Sequence, residues 1–393
     1  MSVTAPPAQG LVERTAALVP MLRENAAATE AARRVPPENL EALSEAGVFK
    51  MTVPKRFGGY ESDLQTQCDV LAELATGCPS TSWVATIFTA LIWTIGTFCD
   101  EAQEEVFATP DVKVSCVFNV PAGQAVRRDG GVVVSGRWPF NTGCHGADWT
   151  LMTALCEPEG GTGEPAPIGA LFPASELEII DDWYATGMAG TGSNSTAAKD
   201  VFVPAHRIVS LPALLEGDFP ARHNSAGPYF NFPTAALLIV NAGGTPLGIA
   251  RGALEAFLER LPGRQITYTN YTSQAEAPVT HLRVGECALK LDSVDAHVRH
   301  ACAILDNHPG GPMSMEDRVK ARTHIAYATG LAREVVDGLF YASGATSIQV
   351  GVPIQRFQRD MQALANHGLM LSSTVTELYG RVLCGLEPNT MIF

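Results

Sequence analysis

The chain has 393 residues, of which 27 are Lys or Arg and 41 are Asp or Glu, giving a net charge of −14; 17% are charged and 46% apolar, against about 25% charged in an average soluble domain. Such a composition excludes a disordered chain, because it buries enough apolar surface to offset chain entropy, and it provides for two or three packed units. The acidic balance excludes nucleic acid and an anionic membrane as partners, since either needs a surplus of Lys and Arg on one face, and favours a protein that handles small molecules.

In chain order, residues 11–110 read as helices. Leu11, Leu18, Val19 and Leu22, then Leu40, Leu43 and Ala46, recur mostly at three- and four-residue steps or their sums, and Pro36-Pro37-Glu38-Asn39 is a helix start. Residues 51–60, with Pro54 and Gly58-Gly59, form a loop; a helix runs from Asp63 to about Leu74, and residues 78–82 cap the next, 83–98. Residues 75–99 carry no charge, but Gly77, Pro79, Gly96 and eight Ser or Thr interrupt the run and no Lys/Arg asymmetry flanks it. It reads as a core helix buried on all sides rather than a membrane span.

Near Val112 the pattern changes to short β-branched or alternating runs at 113–119, 124–128, 131–136, 149–155, 168–172 and 199–204, with a hairpin turn at Asp129-Gly130-Gly131 and a surface loop at 157–167. Strands without intervening helices predict a small antiparallel barrel or sandwich. The helical period returns at Thr234, and 247–261, 281–305, 315–341 and 356–383 are each long enough for one member of a four-helix bundle. The expected fold is therefore α+β: an N-terminal helical domain (1–111), a small antiparallel β-barrel domain (112–212) and a C-terminal four-helix bundle domain (213–393). The last 113 residues hold 10 basic and 11 acidic side chains, a balance suited to burial or self-association.

Nine Cys without a CxxC pair exclude zinc-ribbon and thioredoxin-like readings and point to a reducing, cytoplasmic compartment. The opening Met-Ser-Val-Thr-Ala-Pro-Pro lacks the basic start and apolar run of a signal peptide. No GxSxG, HExxH, GxxxxGK[ST] or GxGxxG after a strand occurs; His297 and His300 lie three apart on a helix without a carboxylate to complete a site, so no metal is expected.

Two segments combine Trp, a Thr/Asn/Ser cluster and glycines at strand ends: Ser135-Gly-Arg-Trp-Pro-Phe-Asn-Thr-Gly143 and Trp183-Tyr-Ala-Thr-Gly-Met-Ala-Gly-Thr-Gly-Ser-Asn-Ser195. They suit a flat heteroaromatic, with an aromatic wall for a ring face and hydroxyl and N–H groups for its edge; the same residue types also serve as plain turn chemistry.

Over essentially the whole chain, the order of helices, strands and bundle resembles the acyl-CoA dehydrogenase fold. Gly187-Met-Ala-Gly-Thr-Gly-Ser193 is similar to that family's Gly-Met-Arg-Gly-Thr-Gly-Ser signature, with Ala189 where Arg is usual, and Tyr341-Ala-Ser-Gly344 followed by Pro353-Ile-Gln-Arg356-Phe-Gln-Arg359-Asp360 is similar to its C-terminal pattern. The common dehydrogenases carry a base in Glu-Gly a little further on; here the chain has His367-Gly368. An imidazole is a poor base for so weak a carbon acid but a good donor and proton shuttle near pH 7. With Trp138-Pro-Phe140-Asn-Thr142-Gly143, this resembles the flavin-dependent monooxygenases of the same fold, the group D oxygenase halves of two-component systems, in the natural-product and aromatic hydroxylase branch.

That resemblance implies an oxygenase that receives reduced flavin, FADH2 in preference to FMNH2, from a separate NAD(P)H-flavin reductase, and hydroxylates an aromatic with O2 through a flavin C4a-hydroperoxide. It implies His367 and Thr142 as catalytic residues, and Asn119, Phe140, Asn141, Thr142, Trp183, Thr191, Ser193, Arg264 and Tyr268 around the flavin, the last two from a neighbouring subunit. Trp83, Leu91, Trp93 and His367 would face the substrate; Leu91 stands where phenol-hydroxylating relatives tend to carry His, which favours an indole-like or polycyclic substrate over a phenol. A homotetramer built as a dimer of dimers, or a homodimer, is implied as well.

Read as residues alone, His367 could instead close a buried network with Asp360 seven positions earlier, Arg356 and Asp360 could be an ion pair, Thr142 a turn residue and Arg264 a solvated side chain. The rival function is an acyl-CoA dehydrogenase-type FAD enzyme that oxidises a thioester.

Overall fold

The computed structural model describes residues 10–390 and 392, apart from 159, 161–162, 225–227 and 310–311. The opening seven residues, parts of the 157–167 loop and parts of the break near Pro309 lie outside these. Among the described residues, six helices come first: α1 (Leu11–Ala16), α2 (Val19–Ala32), α3 (Pro37–Ala46), α4 (Leu64–Gly77), α5 (Pro79–Ile95) and α6 (Asp100–Phe107). Asp63 caps α4 as its spacing predicts, accepting the Thr66 N–H at 2.8 Å. Helix α5 starts earlier than expected, because Pro79 supplies the first helical φ and needs no N–H partner; the foreseen cap at 78–82 is mostly its first turn. All of α5 except Ile87 is buried. Three of its hydroxyls are satisfied inside the helix: Thr86, Thr89 and Thr94 donate to the carbonyls four residues back at 3.0, 2.8 and 2.9 Å.

Eight strands follow: β1 (Val114–Val117), β2 (Gly123–Arg128), β3 (Gly131–Trp138), β4 (Trp149–Cys156), β5 (Ala166–Pro173), β6 (Glu178–Ile180), β7 (Ser195–Pro204) and β8 (Ile208–Ser210). They form one sheet in the order β6-β7-β3-β2-β4-β5-β8, with β1 also on β4. The expected antiparallel barrel is corrected in two respects. The sheet is open, with β6 and β8 at its ends, and both β1 and β2 run parallel to β4. The reason is local: the turn at Val120–Ala122, with Pro121, interrupts what is in effect one long strand, so both pieces lie along the same edge of β4. Alternation in a sequence marks a strand but not the direction of its partner.

The remaining helices are α7 (Leu211–Glu216), α8 (Thr234–Asn241), α9 (Gly244–Glu259), α10 (Pro278–Asp306), α11 (Met315–Ala342), α12 (Pro353–Ala365) and α13 (Ser372–Leu383). The expected fourth bundle member, 356–383, is two helices broken at 366–371, where Gly368 disfavours the helix and the chain makes tight turns from the His367 N–H to the Leu364 carbonyl and from the Met370 N–H to the His367 carbonyl, each 2.9 Å. The bundle as foreseen does not describe this segment. A single large core joins the first and last helical segments, including Leu22, Leu71, Phe88, Leu247, Val335 and Met361, while the sheet buries a smaller one around Val134, Trp138, Ala154 and Phe172. The stretch Thr234–Glu259, long and apolar enough to cross a membrane, has 83% of its most hydrophobic window buried, as core helices do.

Candidate active site

The β3–β4 connection and the segment leading into β7 are the two Gly/Thr/Trp segments, and the fold zips them together. The Asn141 N–H donates to the Asn194 carbonyl at 3.1 Å and the Gly143 N–H to the Thr191 carbonyl at 3.0 Å. Phe140 and Met188 take left-handed backbone (φ 64° and 53°), which turns Phe140 outward against Trp183, edge to face at 5.7 Å.

Three hydroxyls form a chain whose polarity is set by its last link, from Thr191 to the Met188 carbonyl. Thr191 Oγ1 spends its proton on the Met188 carbonyl at 2.8 Å, so Ser193 must donate to Thr191 at 2.7 Å, and Thr142 must donate to Ser193 at 2.9 Å. The Thr142 oxygen is thereby left as an acceptor. The Trp183 indole N–H also donates to the Met188 carbonyl, at 3.2 Å, which fixes the ring.

Helix α12 grips this segment from behind. A Cβ on Gly187 would lie 2.0 Å from the Arg359 carbonyl oxygen, so only glycine allows the approach. The Met188 N–H donates to Asp360 Oδ1 at 2.5 Å, and Arg359 Nη1 donates to the Thr186 carbonyl at 2.7 Å. The Arg356–Asp360 pair read from the sequence does not form; Arg356 Nε binds Glu30 at 3.0 Å and Arg359 binds the same carboxylate. Burial pushes the Asp360 carboxyl up to about 7.

His367 lies beyond the end of α12, so it does not share a helical face with Asp360 and makes no bond to it. Its Nδ1 accepts the Leu369 N–H at 3.3 Å, which leaves Nε2 as the ring's N–H donor. The ring packs edge-on to Trp83 at 5.4 Å and its other side is open to the cavities; desolvation within this recess holds its pKa below the usual histidine value, so it is a neutral donor.

Two adjoining cavities meet at these groups. One, of about 460 Å³, is lined by Phe140, Thr142, Trp183, Met188, Thr191, Ser193, Asn366 and His367. The other, of about 510 Å³, is mostly apolar, with Ile87, Ala90, Leu91, Val117, Phe118, Leu215 and Leu238 in its walls. Trp83, Phe140, Thr142, His367 and Gly368 belong to both. No Asp or Glu lines either cavity among the described residues.

Of the residues singled out from the sequence, the fold gathers Phe140, Thr142, Trp183, Thr191, Ser193, Trp83, Leu91 and His367. Asn141 is buried beneath this wall, its amide on Thr196 Oγ1 at 3.3 Å. Trp93 lines neither cavity: it is fully buried between Phe230 and Phe232, its N–H on the Tyr229 carbonyl at 3.0 Å. Asn119 is exposed at the turn after β1. Arg264 donates to the Ser343 carbonyl and Tyr268 is fully exposed, both on the α9–α10 connection and away from both cavities, so contact with a flavin would require a second subunit. His297 and His324 meet at 2.7 Å beside His300; no metal-binding group of three or more His, Cys, Asp or Glu is found among the described residues.

Arg322 and the C-terminal Thr390 and Ile392 in the apolar cavity were not foreseen. Arg322 had a sequence signal: it stands on the stripe of α11 that continues through the buried Ile325 and Thr329.

The chain matches two family models, the N-terminal domain of acyl-CoA dehydrogenase over residues 15–111 and the C-terminal domain over 241–371. It is 32% identical to the oxygenase component of the FADH2-dependent resorcinol hydroxylase of Rhizobium sp. (strain MTP-10005), over 96% of this chain and 95% of that one. It is 33% identical, over 98% of both chains, to the HsaA oxygenase subunit of a flavin-dependent monooxygenase of Mycobacterium tuberculosis. Among solved structures, that of XiaF from Streptomyces sp. in complex with FADH2 and glycerol superimposes with a TM-score of 0.90 at 30% identity, over 97% of this chain and 96% of XiaF.

Proposed function

Because the chain belongs to the oxygenase subunits of two-component flavin-dependent monooxygenases, built on the acyl-CoA dehydrogenase fold, we propose that it hydroxylates an indole-like, polycyclic or phenolic aromatic molecule with O2 and FADH2 delivered by a separate reductase. The observation that carries this reading is the pair of cavities sharing Thr142 and His367: one polar-edged and flanked by Trp183, the other apolar. The polar-edged cavity suits a reduced flavin ring, whose N5–H needs an acceptor, and the hydroxyl chain leaves the Thr142 oxygen as one. When bound, reduced flavin activates O2 and supplies one oxygen atom to the ring while the other leaves as water. Thr142 holds a proton at its oxygen, His367 donates from Nε2 at the boundary with the substrate, and the apolar wall excludes water. The rival thioester oxidation needs a carboxylate base at this boundary, and neither cavity has one among the described residues.

Exposed Val279, Leu282 and Leu289 on α10, with Tyr341 at the end of α11 and Ile348 and Val350 in its connection to α12, support self-association, as a homotetramer or homodimer. The test supplies chemically reduced FAD and O2 with indole-, phenol- and polycycle-type substrates. A product heavier by one oxygen atom is expected; tight binding of oxidised FAD with dye reduction by a thioester would overturn the reading. In the same assay Thr142→Val removes the acceptor, and product per FADH2 consumed should fall about 10-fold while released hydrogen peroxide rises. An unchanged coupling ratio removes Thr142 from the mechanism.

A further inference from the structure

Helix α11 buries two arginines one turn apart, and they are treated differently. Arg318, 6% exposed, is paired with Glu216 at 3.0 Å. Arg322, equally buried, meets no carboxylate among the described residues. It donates to the Leu369 and Gly368 carbonyls, each at 3.3 Å, and to the Ile392 carbonyl. These are neutral partners that use three of its five N–H groups, and one N–H remains on each terminal nitrogen. Arg322 lines the apolar cavity, where a cation without a counter-charge is costly to keep.

We propose that Arg322 is a specificity-determining residue that binds an oxyanion, a carboxylate or an ionised phenol, on the aromatic substrate. Two N–H groups on neighbouring nitrogens match the two oxygens of a carboxylate, and the anion supplies the charge that the described residues of the cavity wall lack. The rest of the lining is mostly apolar and carries no other charge among the described residues, so the anion lies at Arg322 and the ring to be hydroxylated toward His367. Because Arg322 also holds the carbonyls of the turn that carries His367, an anion bound to it would register the ring against Nε2. The inference rests on reading the apolar cavity as the substrate site, but its test needs no turnover, so a failure to hydroxylate and a failure to bind anions are separate results.

The test measures binding to the full chain by quenching of tryptophan fluorescence, with reduced FAD present and oxygen excluded, for matched pairs: indole-3-acetate with indole-3-acetamide, 1-naphthoate with 1-naphthamide, and 4-nitrophenol at pH 8 with 4-nitroanisole. At least one anion should bind about 10-fold or more tightly than its neutral partner, and the arm in which this occurs tells carboxylate from phenolate. Arg322→Gln should shrink that preference to about 2-fold or less, and Arg322→Lys should keep part of it. A wild-type chain that prefers no anion overturns the proposal whatever the variants do. So does a preference that survives in an Arg322→Gln protein with unchanged Tm.

Discussion

Replacing His367 by alanine is expected to cut hydroxylated product per FADH2 consumed about 100-fold, while the affinity for reduced flavin and the Tm stay near their wild-type values. The size follows from what a positioned proton donor contributes to a rate, on the order of 10²- to 10⁴-fold. The selectivity of the effect follows from place. His367 sits in a tight turn after α12, makes one weak backbone contact through Nδ1, and packs on Trp83 at the junction of the two cavities. Its removal takes little from the core. His367→Gln, which restores an N–H near the Nε2 position, should recover part of the loss; a purely structural histidine would show no such rescue. The pH profile gives a second readout. The lowered pKa keeps the ring neutral through the neutral range, so the acid limb of activity should fall below the usual histidine value. There the ring gains a proton at Nδ1, which can then no longer accept the Leu369 N–H, and the turn loosens. Unchanged coupling in a folded His367→Ala protein would take His367 out of the chemistry.

The sequence was legible where local rules decide. Asp63 at a helix start and the glycine turn between β2 and β3 act within a few residues, and the two Gly/Thr/Trp segments did converge on one site, although α5 begins at Pro79, four residues before its predicted start. What stayed hidden depends on partners far along the chain. The parallel pairing of β1 and β2 with β4 is set by a proline turn that no alternation pattern registers. The pairing of Arg356 and Arg359 with Glu30 spans more than 300 positions, whereas the spacing of Arg356 and Asp360 suggested a bond that does not form. Arg264 and Tyr268 were placed by resemblance, and within one chain they reach neither cavity. Trp93 illustrates a further limit. An aromatic on an uncharged helix can face a cavity or the core, and which it does is settled by Phe230 and Phe232, 137 and 139 residues on.

Asp360 yields the second large expectation, because it is where stability and site geometry share one group. Its carboxyl is fully buried behind the 187–193 segment, and burial, with the like charge of Glu30, outweighs the Met188 N–H and the two nearby arginines. In the unfolded chain it titrates near 3.8; in the folded protein it does so at about 7. Between these values the folded state binds more protons than the unfolded one, so stability contributed by this group is complete below pH 4 and is lost as pH rises toward 7. About three units correspond to roughly 4 kcal/mol. Asp360→Asn keeps an acceptor for the Met188 N–H and has no proton to lose, at the expense of a buried NH2 worth about 1 to 3 kcal/mol if unpaired. The variant should therefore show a flatter stability curve between pH 4 and 7 and equal or exceed the wild type at pH 8, with flavin affinity retained. Asp360→Leu removes the acceptor as well. The Met188 N–H is then buried without a partner, the Met188 carbonyl that orients Trp183 and Thr191 loses its anchor, and affinity for reduced FAD should drop about 10-fold even where the fold persists. Thermal unfolding across pH and flavin titration separate the two roles. Parallel pH curves for the wild type and Asp360→Asn would refute the titration, and undiminished flavin affinity in Asp360→Leu would show that α12 holds the segment by Gly187 and Arg359 alone.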